Sequence, residues 1–459
     1  MDENVYERVP QEQKQHWASF LMIFLGMWAS IGAIGVGVDV GTKLTPWIAS
    51  LAFFIGYIIC MIFGIFVGEI GRREGLSTSV LCERPFSNFG KILPAFLAFL
   101  VAGIFIGVQS DALTRIAYSL LGFEVPEGFN LYRGLISAAF CSLMMLSSYR
   151  GIKYIKIISW IAVPTFLVLL VITLLSTIAK YPGGFSAIMT KEANEISFTA
   201  VMFLGVSLYA GFAAFMGDIS RFISTRAGLF KALIIGFIAS TSIPIWGVIV
   251  GAAQGGGAYY DVFSQFGLAF SLFAIVGLFL AQWTTNDNNA FTSGLALSTI
   301  FTTLNARFEK IPRLTRKQST LVPAFVGILL AFVGSGAVSS LLIFVGALGA
   351  WLVPMAGVLI AHYYIVERGG KKIEAKGFAA IVTLITMGLL VQFNLLPVAA
   401  VTSIIGSILL YVFLFYVIEK PIFGVNFVEE NEESELINNE DSALIKTDER
   451  ELVGVGQKV

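Results

Sequence analysis

Apolar runs alternate with short polar connectors along most of this chain, from Trp17 to Ile418. Most runs reach the roughly 20 residues that a helix needs to cross a bilayer. They are continuous, whereas the strands of a transmembrane barrel are shorter and alternate between faces. The pattern predicts helical spans at 17–41, 47–70, 93–121, 133–149, 154–179, 196–216, 229–253, 268–302, 320–337, 339–365, 376–394 and 397–418. That makes twelve, or eleven if the narrow separations near 337 or 395 do not divide a span. The expected fold class is therefore all-α and polytopic. A tail at 1–16 precedes the membrane domain at 17–418, and an acidic tail without apolar periodicity, expected to be disordered, follows at 419–459. The segment 74–90 is too short and polar to span, and is expected to lie as a short helix along the cytoplasmic surface.

One cluster breaks the pattern. Trp283, Thr284, Thr285, Asn286, Asp287, Asn288 and Asn289 follow one another between the apolar segments 268–282 and 290–302. Polar groups are costly inside a membrane, so such a run at the depth of a span points to a small molecule and a cation. The alternative is a loop between two short segments, because Asn-Asp-Asn-Asn is turn-prone. Glycine interrupts two other spans: Gly26, Gly32, Gly35, Gly37 and Gly41 in the first, and Gly205 and Gly211 in the sixth. Glycine-interrupted spans at matching places in two halves mark the midplane site of a secondary transporter, where unwound carbonyls hold a cation. Close packing of helices through small residues is the competing reading.

Composition and charge narrow the class. Apolar residues make up 56% of the chain and charged ones 13%, against about 25% in soluble domains, and the mean hydropathy is +0.82. Basic residues crowd one set of connectors, with Arg72, Arg73, Arg84 and Lys91, then Arg150, Lys153 and Lys156, then Arg221, Arg226 and Lys231, and so on to Lys376. The opposite connectors carry only Lys43, Arg133, Lys180 and Lys191. Both termini are therefore expected in the cytoplasm, with the protein in the cell (inner) membrane. The zero formal net charge gives no reason to expect nucleic acid as a partner. Cys60, Cys82 and Cys141 lack metal or redox spacing, and His16 and His362 are the two histidines, so a histidine-based metal site is not expected. No phosphate-cradling loop points to nucleotide hydrolysis, and no paired acid and base point to an enzyme.

At Trp283 to Asn288, followed by Ser293, Gly294 and Leu295, the chain resembles the nucleobase:cation symporter-1 (purine/cytosine permease) family, and within it the cytosine permeases. Gly151-Ile152 with Ser159 to Pro164, Asp218 with Arg221-Phe222, Gly41-Thr42, and 71–79 carry the likeness further, over most of 17–370. The resemblance implies a leucine-transporter-type fold. In it, 17–179 and 196–365 are inverted five-helix repeats and 376–418 supplies two more helices. It also implies alternating access, and import of cytosine or a related heterocycle by cation symport.

Carried over by position, the resemblance implies a cation site made of the carbonyls of Gly26, Ala29 and Ala281 and the hydroxyls of Thr284 and Thr285. Neutral oxygens of this kind suit Na⁺. Symport of hydroxymethylpyrimidine, hydantoin, allantoin or another small heterocycle with H⁺ is the alternative, and a non-transporting receptor is the rival of another class. No cofactor beyond the coupling ion is implied, lipid is the surrounding partner, and the oligomeric state stays open, a monomer included. For the substrate, Tyr209 and Phe105 are expected to stack on a flat ring, with Asn286, Ser30 and Leu208 adding polar and backbone contacts. The chain departs from the cytosine permeases at Ala102 and Phe105, where they have glutamine and tryptophan. Gln109, one turn along from Phe105, either replaces the missing amide or packs against another helix. Asp218 and Arg221 are expected to form a structural or gating pair. Asp287 is expected to anchor the eighth span. Asp111 is expected to pair with Arg115 or to carry a proton.

Overall fold

The computed structural model describes residues 6–27, 29–126, 128–255, 259–334, 338–368 and 371–427. Among the described residues, thirteen main helices follow in order: α1 (Ala18–Met27), α2 (Ile31–Lys43), α3 (Pro46–Glu74), α4 (Ile92–Leu120), α5 (Leu131–Arg150), α6 (Ile152–Lys180), α7 (Phe198–Ala214), α8 (Arg226–Gln254), α9 (Leu268–Arg307), α10 (Arg316–Val333), α11 (Val338–Ala361), α12 (Phe378–Gln392) and α13 (Ala399–Leu414). Among the described residues, ten helices are long and apolar enough to span a membrane. The bent pair α1 and α2 makes an eleventh span, and α12 is a shorter apolar helix. Leu167, Val168, Val171 and Leu175 on α6 stay exposed, as expected of a face turned to lipid.

The first span breaks where its sequence loosens. Its axis turns by 52° between α1 and α2, and Ser30 starts α2 as its N-cap, its hydroxyl accepting from Gly32 N. The later glycines of this span are helical and serve close packing. A Cβ on Gly37 would lie 2.2 Å from the Pro244 carbonyl oxygen, and one on Gly251 would lie 2.3 Å from that of Val38. The backbones of α2 and α8 therefore touch through Gly37, Gly41, Gly247 and Gly251.

Three expectations need correction. Gly205 and Gly211 lie inside continuous helix, and the sixth span is interrupted further on, at Phe215 and Met216, before the one-turn helix Gly217–Ser220. An unwound turn at membrane depth leaves backbone groups unpaired, whereas a helical glycine lets α3 and α7 approach: a Cβ on Gly56 would lie 2.4 Å from the Met202 carbonyl oxygen. The segment 74–90 does not lie on the surface. It folds into two single-turn helices, Thr78–Leu81 and Glu83–Phe86, with Ser77, Thr78, Ser79, Cys82 and Phe86 fully buried. The boundary at 419 falls within a continuous helical span, Ala399–Phe423. Glu419 is buried and accepts from Gly377 N and Ala379 N at the start of α12. Asn426–Phe427 then pairs antiparallel with Ile373–Glu374. The predicted disorder of the acidic tail concerns 428–459, outside the described residues.

A buried charge cluster ties these last elements to the first half of the chain. Arg84 bridges Glu74 at 2.6 Å and Glu367 at 3.0 Å, while His362 hydrogen-bonds Tyr411 and the Ile373 carbonyl.

Candidate functional site

The polar run 283–289 lies within one unbroken 40-residue helix, α9, which excludes the loop alternative. Thr284, Thr285, Asn286, Asp287 and Asn288 are all buried there against α1, α2, α4 and α5. At the break between α1 and α2, helix geometry leaves the Gly26 and Ala29 carbonyls available to α9. Thr284 Oγ1 lies 2.8 Å from Gly26 O and 2.7 Å from Ala281 O. Thr285 Oγ1 lies 3.3 Å from Gly26 O, 3.2 Å from Ala29 O and 3.4 Å from Ala281 O. The five predicted cation-site oxygens thus converge. Two hydroxyl hydrogens face three carbonyls, of which Gly26 O also accepts from Ala29 N at 3.2 Å. Gly26 admits this approach: a Cβ there would lie 3.0 Å from Thr284 Cβ and 3.1 Å from Ser159 Oγ.

Beside this cluster lies a narrow, largely apolar cleft. Ser30, Phe105, Gln109, Leu208 and Tyr209 line it, together with Thr285. Ala98, Val101 and Ile219 extend the lining toward the end of the bundle that bears Lys91 and Arg221. Asn286 stands apart from the expected set. It is fully buried behind the wall, where its Nδ2 donates to Met144 Sδ. Asn289 and Thr292, one turn and two turns further along α9, face the cleft instead.

Gln282 is a buried polar side chain beside the site that sequence reasoning missed. It is fully buried; its Oε1 accepts from Ile31 N at 3.3 Å, and its Nε2 donates to Gln109 Oε1 and to Asn286 Oδ1. Gln109 Nε2 donates in turn to Ser30 Oγ at 3.1 Å. The available signal was spacing, since Gln282 lies four residues before Asn286 and so on the same helical face.

The remaining charges hold the frame. Asp287 accepts from Ser147 Oγ, Ser148 Oγ and Ser148 N, anchoring α9 to the end of α5. Trp283 Nε1 donates to the same Ser147 hydroxyl at 2.6 Å. The Asp218 carboxylate accepts from Thr78 N at 2.8 Å, and Arg221 Nε lies 3.3 Å from the Asp218 carbonyl. Asp111 pairs with Arg115 at 2.9 Å and with the fully buried Arg133 at 3.2 Å. Asp39 and Lys43 form a partly exposed pair. Among the described residues, no group of three or more His, Cys, Asp or Glu side chains could hold a metal ion.

A broken first span facing a polar eighth one, around a cleft in an all-helical bundle, defines a membrane transporter of the leucine-transporter type. The backbone agrees with Mhp1, a nucleobase-cation-symport-1 family transporter whose structure has bromovinylhydantoin bound. The TM-score is 0.68 at 18% identity, over 95% of this chain and 99% of that one. Residues 8–380 match the family of permeases for cytosine/purines, uracil, thiamine and allantoin, and the chain belongs to that family. It is 24% identical to the cytosine permease of Escherichia coli strain K12, over 88% of this chain and 92% of the relative. It is also 24% identical to the hydantoin permease of Microbacterium maritypicum, over 70% and 67% respectively.

Proposed function

We propose that this permease imports a nucleobase or a related small heterocycle together with Na⁺ into the cell, by alternating access across the inner membrane with both termini cytoplasmic. The convergence of the Gly26, Ala29, Ala281, Thr284 and Thr285 oxygens carries this reading. Five uncharged oxygens suit a hard monovalent ion. None of the five titrates near neutral pH, which favours Na⁺ over H⁺.

The cation joins α1 to α9, while the substrate ring lies in the cleft between Phe105 and Tyr209. Ala29 and Ala281, in the cation cluster, are chain neighbours of Ser30 and Gln282, in the amide chain. Ordering one cluster therefore orders the other. Coupling follows because each ligand has a different affinity for the two states of the transporter.

The test is the double variant Thr284→Ala, Thr285→Ala in sodium-dependent uptake. Loss of sodium stimulation with the protein still folded is expected. Uptake with an unchanged sodium dependence would refute the site.

A further inference from the structure

A closed ring of hydrogen bonds clamps the break in the first span to two other helices. Ile31 N–H, in the first turn of α2, has no carbonyl to meet within its own helix and donates to Gln282 Oε1 of α9 at 3.3 Å. Gln282 Nε2 donates to Gln109 Oε1 of α4, and Gln109 Nε2 donates to Ser30 Oγ at 3.1 Å. The ring thus starts at Ile31 and returns to Ser30, the residue before it. Ser30 and Gln109 line the cleft, whereas Gln282 is fully buried and follows Ala281, whose carbonyl belongs to the oxygen cluster. On the other side of the ring, Ser30 follows Ala29, whose carbonyl meets Thr285 Oγ1 at 3.2 Å. Both ends of the ring therefore lie one residue from the proposed cation site.

We infer that Gln282 is a positioning residue that couples the two ligand sites. It holds the cleft-lining Ser30 and Gln109 in the same register of α2 against α9 that brings the Gly26 and Ala29 carbonyls to Thr284 and Thr285. A cation that fixes the break against α9 sets the ring from one side, and a substrate that fixes Ser30 and Gln109 sets it from the other. With an apolar side chain at 282, Ile31 N–H and Gln109 Oε1 lose these partners. The ring opens, and each ligand then orders its own half without the other. The inference rests on the reading above, of a heterocycle carried with Na⁺, and names the residue through which the two ligands act on each other. Coupling is a reciprocal ratio of affinities, so it can be read separately from either affinity.

Equilibrium binding of radiolabelled uracil and cytosine to the full-length purified protein, with Na⁺ absent and with Na⁺ saturating, tests it. In the wild type, Na⁺ is expected to tighten the binding of at least one ring by roughly tenfold or more. The volume-conserving Gln282→Met is expected to reduce that factor to about threefold or less, with the ring still bound. Ser30→Ala opens the ring of hydrogen bonds at its other end without touching α9. It is expected to reduce the factor likewise, and it decides the matter if Gln282→Met does not fold. A merely structural role would lower the affinities with and without Na⁺ together and leave the factor alone. A wild-type factor retained in a folded variant would overturn the inference and leave the symport reading intact. A wild type that binds neither ring, or binds one with no effect of Na⁺, would overturn both.

Discussion

Tyr209 packs edge-on against Tyr57, with ring centroids 4.6 Å apart, and turns part of its surface to the cleft. Its neighbour fixes the ring before any substrate arrives, so stacking on a flat heterocycle costs little side-chain entropy. Tyr209→Ala is expected to weaken substrate binding by about 1–3 kcal/mol without changing Na⁺ affinity in the absence of substrate. Calorimetric titration checks both, and an unchanged substrate affinity would remove the stacking role. At this scale the oxygen cluster around Thr284 and Thr285 was legible, because these residues are conspicuous in an apolar sequence. Gln282 was not, because it ends an apolar run and reads as the run's edge. Its partners, Ile31 and Gln109, lie 251 and 173 residues away in the chain. Asn286 was misplaced for a related reason: periodicity puts residues on one face of a helix but does not say which face meets the cleft.

Among the elements, α9 carries the site, and its depth and rotation depend on few anchors. Asp287 accepts three kinds of donor from the end of α5, and Arg316 of α10 donates to the Ser148 carbonyl beside them at 2.9 Å. Asp287→Ala would remove the acceptor of the buried Ser147 and Ser148 hydroxyl hydrogens, at about 1–3 kcal/mol for each one left unpaired. A lowered melting temperature in detergent is expected, with Asp287→Asn, which keeps one acceptor oxygen, lying between the two. An Asp287→Ala protein as stable as the wild type would show that α9 is held by packing alone. The spans themselves were legible from apolar length. Breaks were less so, because a glycine run is written identically whether it unwinds, as near Ser30, or admits a neighbouring backbone, as at Gly37 and Gly205. The buried fold of 74–90 was hidden because its partners, Asp218 and Tyr363, come from distant parts of the chain.

Across the whole molecule, the two halves meet at the oxygen cluster and again at the buried charges of Glu74, Arg84 and Glu367. The second junction also reaches α12 and α13 through His362, Tyr411 and Glu419, so the two additional helices brace the end of the bundle toward which the cleft extends. Movement between states must preserve or exchange these contacts, because a buried charge left without its partner is strongly destabilising. The proposed cation, held where α1 and α9 meet, would supply the energy for that movement. Uptake of radiolabelled uracil and cytosine into proteoliposomes, with and without an inward sodium gradient, tests this most directly. Accumulation of at least one ring above its outside concentration, only while the sodium gradient lasts, is the expected result. Equilibration to the same level with or without the gradient, or no uptake of either ring, would contradict it.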